Sequence, residues 1–394
     1  MTIYFVAGEV SADNHGAALL RSLRVLNPEL KFIGRGGPQM QQVAGGDFKN
    51  WIGDAAVLGL WEVLRNYSYF REQFSQTLNE IRESKPDAVV LIDYPGFNLR
   101  LAHALRRQSH NQKTIYYISP QVWAWNRGRI KKMARFIDLV LCIFPFEVDL
   151  YAASGLRAVF VGHPMIERLS TQKIGIQRDP NLIGLFPGSR VREIRKIFPV
   201  MIETTRRLSQ FNPTLRFQVA AASEELAYEM NAILTAETLA NRRAIEIAVG
   251  HAAAIMQGAF VGIVASGSAT LEAAYFGMPF VLIYKVAWPT YVAARLVVNV
   301  NFLGMPNLLA GREVVPEFIQ HEAKPDAIVK AVRSLMENSS ARDRMISDFE
   351  TIIRKLGGSG ASERAAQAIL VELKDGRSPN RPGGLETAAP STTR

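Results

Sequence analysis

An aspartate at the end of a core strand is the residue in this chain best suited to proton chemistry. Ala88 to Ile92 (AVVLI) reads as a buried strand, and it delivers Asp93 into DYPGFN, where Pro95 and Gly96 turn the chain toward a helix starting near Asn98. A lone carboxylate in that place is costly unless it binds something or caps the next turn. Asp93 is therefore the leading candidate for a general base, with an Asx-type cap as its competing role. The loop after the first strand, GEVSADNHG, carries two more groups able to move a proton, Glu9 and His15, beside the candidate substrate contacts Gly8, Ser11 and Asp13. A histidine at a helix start is also an ordinary surface residue.

Other residues suit a charged, hydroxyl-rich ligand. In FVGIVASGSATLEAAYFGMP (Phe260 to Pro279) an apolar strand turns through Ser266, Gly267 and Ser268 into a helix from about Ala269 to Phe276. A helix start presents unpaired N–H groups with partial positive charge, so a phosphate can approach the small residues there. Thr270 adds a hydroxyl, and Glu272, one turn in, suits sugar hydroxyls. Together these fit a nucleotide with a diphosphate and a ribose, although Gly267 could simply make the turn and Glu272 simply favour the helix dipole. PGSR repeats the pattern: Gly188 and Ser189 form a small-residue turn, and Arg190 can grip a diphosphate through two nitrogens. Gln121, Trp123 and Trp125 form a stiff aromatic loop suited to sugar stacking or an apolar pocket. Asn307 is a further candidate contact.

The elements that must position these groups are strands alternating with helices. Strands at Ile3 to Ala7, Lys31 to Gly34, Ala88 to Ile92, Thr114 to Ile118, Leu139 to Ile143 and Ala158 to Val161 build one sheet. Leu182 to Phe186, Leu215 to Ala220, Ile245 to Val249, Phe260 to Val264 and Phe280 to Tyr284 build a second. The expected fold is α/β, with two Rossmann-like doubly wound domains at 1–168 and 169–360, a C-terminal helix at 361–373 and a disordered polar tail at 374–394. The interdomain linker is expected within Arg168 to Asn181. With 394 residues and 48% hydrophobic content, two cores can be buried.

The single cysteine, Cys142, lies in an apolar run and forms no internal disulfide. No apolar stretch reaches the roughly 18 residues of a membrane span and no signal peptide is apparent, so a cytoplasmic protein is expected. The net charge of +10 favours an anionic partner. No recognised nucleic-acid motif is present, which argues against nucleic acid as that partner. Arg127, Arg129, Lys131, Lys132 and Arg135 could draw the chain to an anionic bilayer. The aromatic and aliphatic segment Val57 to Phe74 could meet acyl chains, burial against a neighbouring helix being the alternative. No metal-ligand spacing and no D-x-D pair occurs, so neither a metal nor another cofactor is expected.

Eight strings then recur in one order: AGEVSAD, GRGGPQM, DYPGFN, SPQVWAW, GHP, PGSR, SGSATLE and PNLLAGR. Over roughly residues 1 to 370 they resemble the lipid-A-disaccharide synthases, with Ala12 where that family usually has glycine and Ser268 where threonine is common. The resemblance implies a metal-independent, inverting glycosyltransferase of the two-Rossmann GT-B type, its domains facing a central cleft. Its substrates would be UDP-2,3-diacylglucosamine and 2,3-diacylglucosamine 1-phosphate (lipid X), and its products the β-1,6-linked disaccharide and UDP. It would work peripherally on the inner face of the inner membrane; a homo-oligomer is a further expectation. Another GT-B enzyme, such as a UDP-sugar epimerase or a lipid-carrier glycosyltransferase, would share the second domain's turns but not DYPGFN with SPQVWAW. A non-catalytic nucleotide-sugar binder would not need Asp93.

Overall fold

The computed structural model describes residues 1–52, 67–108, 112–121, 128–236, 245–288, 291 and 300–375. The chain forms two compact units, Met1–Pro164 with the C-terminal segment from Gly360, and Met165–Ser359. Trp123, Trp125, Arg127, residues 57–66 of the aromatic segment and most of the C-terminal tail lie outside the described residues.

The first unit is built on β1 (Thr2–Ala7), β2 (Lys31–Gly36), β3 (Phe48–Asn50), β4 (Ala88–Ile92), β5 (Lys113–Tyr117), β6 (Leu139–Cys142) and β7 (Ala158–Phe160). They form one parallel sheet in the order β3-β2-β1-β4-β5-β6-β7. Helices cover both faces of such a sheet, so its strands read as unbroken apolar runs, and all five residues of β4 are fully buried. The order has a consequence for chemistry. The chain winds one way from β1 through β3, then returns to place β4 on β1's other side, so the loops after β1 and β4 diverge and leave a crevice at their carboxyl ends.

The second unit repeats this. Its strands are β8 (Asp179–Phe186), β9 (Arg216–Ala221), β10 (Ile245–Val249), β11 (Ala259–Ala265), β12 (Phe280–Tyr284) and β13 (Glu317–Ile319), in the order β10-β9-β8-β11-β12-β13. All its pairings are parallel, and the switch point falls between β8 and β11.

The C-terminal helix, Ala361–Lys374, returns to the first unit and packs on the helix Val10–Leu26. Its Glu372, 1% exposed, meets Lys113 Nζ at 2.9 Å and Arg157 Nη1 at 2.7 Å. The stretch read as a linker is instead stitched to the second unit. Met165–Ser170 is helical, and Gln257 Nε2 donates to Gln172 O while its Oε1 accepts from Ile174 N. The Arg178 guanidinium also donates to the carbonyls of Met256, Ala259 and Phe276. Three carbonyls at the ends of neighbouring elements need donors, and an arginine fork supplies them without a carboxylate.

Candidate functional site

Asp93 stands where β4 ends, in strained backbone. Asp93 and Tyr94 have φ of 47° and 48°, and Ile118 at the end of the neighbouring β5 has φ of 61°. Left-handed backbone costs a non-glycine residue on the order of 1–3 kcal/mol, so it persists only where the surroundings over-determine it. Those surroundings are explicit. Asp93 N donates to Tyr117 O at 3.0 Å, while Asp93 O accepts from the fully buried Tyr116 hydroxyl at 2.5 Å and from Asn98 Nδ2 at 2.8 Å. Gly8 completes the clamp, since a Cβ there would sit 2.3 Å from the Tyr94 ring. The helix that follows, Pro95–Arg107, has Tyr94 as its N-cap residue and no side-chain cap hydrogen bond. Its carboxyl is half-buried. Desolvation by burial, then the nearby Glu9 charge, raise its pKa from 3.8 to about 6 against the opposing Tyr94 N–H.

The β1 loop supplies the other side of this crevice. In the register Ala7 lies beside Ile92, so Gly8 and Glu9 emerge next to Asp93. Glu9 is exposed at the start of the helix Val10–Leu26 and caps nothing with its side chain, Ser11 is exposed, and His15 is half-buried. Asp13 belongs elsewhere. It is 2% exposed, and its carboxylate accepts from Gly37 N at 2.9 Å, Gln39 N at 3.0 Å and Met40 N at 2.9 Å. These are amides at the start of the helix Pro38–Ala44, so the expected substrate contact is instead the cap of that helix, supplied from another element. Gly37 has to be glycine for this: a Cβ there would lie 2.5 Å from the Asp13 carboxyl carbon.

The SPQ segment also divides by burial. Ser119 Oγ lies 3.0 Å from Glu147 Oε1 and 2.6 Å from the Tyr151 hydroxyl, which anchors the segment's root, whereas Gln121 is exposed at its tip. Trp123 is among the undescribed residues.

In the second unit the two small-residue turns follow β8 and β11, the strands that flank the switch point. Val264 lies beside Phe186 in register, which brings Gly188, Ser189 and Arg190 next to Ser266, Gly267 and Ser268. Gly267 has φ of 152° with open space around its missing side chain, and the helix Ser268–Tyr275 begins there without a side-chain cap. Gly188 has φ of 113°, and a Cβ on it would meet Glu193 Oε2 at 2.6 Å. Arg190 is exposed and reaches Glu193 Oε1 at 3.2 Å. Burial and the Glu193 charge raise the Tyr284 pKa at the end of β12, with Arg190 opposing, so these three groups share one patch.

Three expected contacts here have different neighbours from a free ligand-facing group. Thr270 is fully buried, and its hydroxyl donates to Gly267 O at 2.7 Å, bracing the turn. Glu272 Oε1 accepts from Arg168 Nη2 at 2.7 Å. Asn307 is fully buried. Its Nδ2 donates to Val315 O and Glu317 Oε1, both at 2.8 Å, and its Oδ1 accepts from Val314 N and Val315 N. With every hydrogen-bonding site filled, Asn307 orders its loop. Glu317 extends this order by accepting from Leu303 N and Gly304 N, and Leu303 O lies 3.5 Å from Ser266 Oγ.

Tyr94, Asn98, Tyr116, Glu193 and Arg168 touch candidate groups but were not picked out from the sequence. One signal existed: a tyrosine inside a core strand, as in TIYY, must find a partner for its hydroxyl.

The Lipid-A-disaccharide synthetase family profile matches residues 3–371. The chain is 37% identical over 379 residues to the lipid-A-disaccharide synthase of Geobacter sulfurreducens, covering 94% of this chain and 97% of that one. Among solved structures, a putative UDP-N-acetylglucosamine 2-epimerase from Listeria monocytogenes superimposes with a TM-score of 0.63 at 14% identity, covering 96% of this chain and 98% of that chain. The calicheamicin glycosyltransferase gives 0.56 at 14% identity, covering 94% and 98%. These two likenesses establish the fold, two parallel-sheet α/β domains of the GT-B kind. Full-length sequence identity and the profile establish kinship, and the chain belongs to the lipid-A-disaccharide synthase family.

Proposed function

We propose that this protein transfers 2,3-diacylglucosamine from UDP to the 6-hydroxyl of 2,3-diacylglucosamine 1-phosphate, forming the β-1,6 disaccharide and releasing UDP. The observation that carries the reading is Asp93, a carboxylate at the first sheet's switch point whose pKa of about 6 is matched to general-base work near neutrality. Asp93 takes the acceptor's 6-hydroxyl proton. That oxygen bonds to the donor's anomeric carbon from the face opposite UDP, and the bond to the diphosphate oxygen breaks with its electron pair leaving on UDP. The configuration inverts.

The diphosphate rests on the second unit's paired turns, against the amides from Ser268 onward and the Arg190 guanidinium, which counter the leaving charge. Ribose hydroxyls bind Glu272 through the oxygen that Arg168 does not hold. Gly8, Ser11 and Gln121 contact the acceptor. Burial, with the Glu9 charge second, keeps the Asp93 pKa high, and His15 stands as a second candidate for moving the proton.

Among the described residues no helix is long and apolar enough to cross a membrane. The acyl chains of both substrates call for a peripheral encounter with a bilayer, and the exposed Lys131 and Arg135 supply charge for it. Charge reversal at these two positions should lower co-sedimentation with anionic vesicles, and added salt should lower it in the wild type. Unchanged vesicle binding would remove this role.

The direct test is incubation with both lipid substrates and mass detection of the disaccharide. Wild-type protein should yield disaccharide and UDP in equal amounts. No UDP release from the paired substrates rules the reading out.

A further inference from the structure

We infer that a basic cavity beside Asp93 binds the phosphomonoester of the lipid acceptor, an assignment that rests on the transfer reaction proposed above. The cavity, of about 340 Å³, lies wholly within the first unit, between the helix Pro95–Arg107 and the helix Gly128–Met133 with the turn that follows it. One wall is the helical face of Leu99, Arg100 and His103; the other is Arg129 and Lys132 on the second helix with Phe136 from the turn after it.

The cavity is built in two layers. Leu99, the buried Met133 and the buried Phe136 form an apolar floor, and the His103 ring stands edge-on to Phe136 at 5.6 Å. Arg100, Arg129 and Lys132 are exposed above it. Among the described lining residues there is no carboxylate, and neither Arg100 nor Lys132 forms an ion pair among the described residues. Arg100 and Lys132 at the cavity mouth, with no carboxylate among the described lining residues, make an electrostatic well for a dianion.

Position selects which anion. Pro95 and Gly96, next in the chain after Asp93 and Tyr94, line this cavity, so it opens at the turn that carries the base. A sugar whose 6-hydroxyl reaches Asp93 carries its anomeric phosphate on the same ring, within one ring's span of that carboxylate. Arg100 stands on the helix that this turn starts, and Arg129 and Lys132 face it across the cavity. The apolar floor meets the sugar's less polar face and the first methylenes of the acyl chains, while Arg100, Arg129 and Lys132 hold phosphate oxygens.

The assignment is tested by equilibrium binding without donor, comparing 2,3-diacylglucosamine 1-phosphate with its dephosphorylated counterpart in neutral detergent. Wild-type protein should prefer the phosphorylated lipid by on the order of a hundredfold. Arg100→Ala and Lys132→Ala should each reduce that preference by about tenfold, leaving the dephosphorylated lipid's affinity and UDP binding unchanged. A wild type that does not discriminate, or variants that keep full discrimination, overturns the assignment. Binding to phosphatidylglycerol vesicles separates the two sources of phosphate: it should be nearly the same in wild type and variants, and a loss confined to vesicles would mean the cavity reads the bilayer instead. Because no donor is present, the result stands whether or not disaccharide forms, so failure of the cavity and failure of the transfer reaction are told apart.

Discussion

Asp93 holds a charge that its surroundings resist, and two measurements follow from that. The folded-state pKa is raised, so folding favours the protonated form: the group's contribution to stability is full below about pH 3.8 and declines as pH rises through about 6. Asp93→Asn should then stabilise the protein by on the order of 1 kcal/mol at pH 8 and by little at pH 4, while disaccharide formation is lost and UDP still binds. Denaturation at the two pH values checks the first part, and an unchanged turnover would remove Asp93 from the chemistry. In the wild type, kcat/KM should rise with pH and level off above about 6, because the base works deprotonated. Tyr116→Phe offers a contrast. Its hydroxyl holds the Asp93 carbonyl and not the carboxylate, so kcat should fall on the order of tenfold through misplacement while the midpoint of the pH profile stays near 6. A shifted midpoint would mean that Tyr116 acts on the carboxylate itself.

At the scale of elements, strand-turn-helix units were readable because buried parallel strands leave long apolar runs and their turns need small residues. What a polar residue beside such a turn does was not readable. Asp13 and Asp93 both follow a core strand in sequence, yet three amides of a different helix saturate Asp13, while the helix after Asp93 has no side-chain cap. Asp13→Ala should therefore cost about 3 kcal/mol, since it leaves buried amides unpaired, and should leave KM for both substrates unchanged in the fraction that remains folded. A KM effect without a stability effect would restore a ligand role. The GRGGPQM string has a similar explanation. Gly34 cannot carry a side chain because a Cβ would sit 2.1 Å from Phe5 O, Arg35 is 2% exposed and pairs with Glu80 at 2.5 Å, and Gly37 admits the Asp13 cap.

Over the whole molecule, the C-terminal helix is the part whose place the order of elements conceals. It follows the second unit in the chain and packs on the first, where Glu372 is buried against Lys113 and Arg157. Removing one partner of a buried ionic cluster strands the others, so Glu372→Ala should destabilise the first unit by about 3 kcal/mol. Ending the chain after Ser359 should do more, lowering the first unit's calorimetric transition while UDP binding by the second unit persists. Loss of UDP binding in that truncation would show that the second unit does not stand alone. Glu80 adds an acid-side dependence of the opposite sign to Asp93. Burial would raise its pKa, but hydrogen bonds from Arg35, Lys49 and Tyr4 hold it at about 2, so its stabilisation is lost as pH falls from about 4.5 toward 2.

The alternation of strands and helices, the two small-residue turns and the family are legible in the chain alone, because each is a local pattern of residue type and spacing. Long-range strand pairing sets β4 beside β1 and β11 beside β8, which puts the loops of Glu9 and Asp93 at one switch point and those of Arg190 and Ser266 at the other. The same long-range contacts settle which polar groups are spent on backbone amides, as Asp13 and Asn307 are. The reason is physical. Strand order and hydrogen-bond saturation depend on partners far away in the chain, and no spacing between neighbouring residues records them.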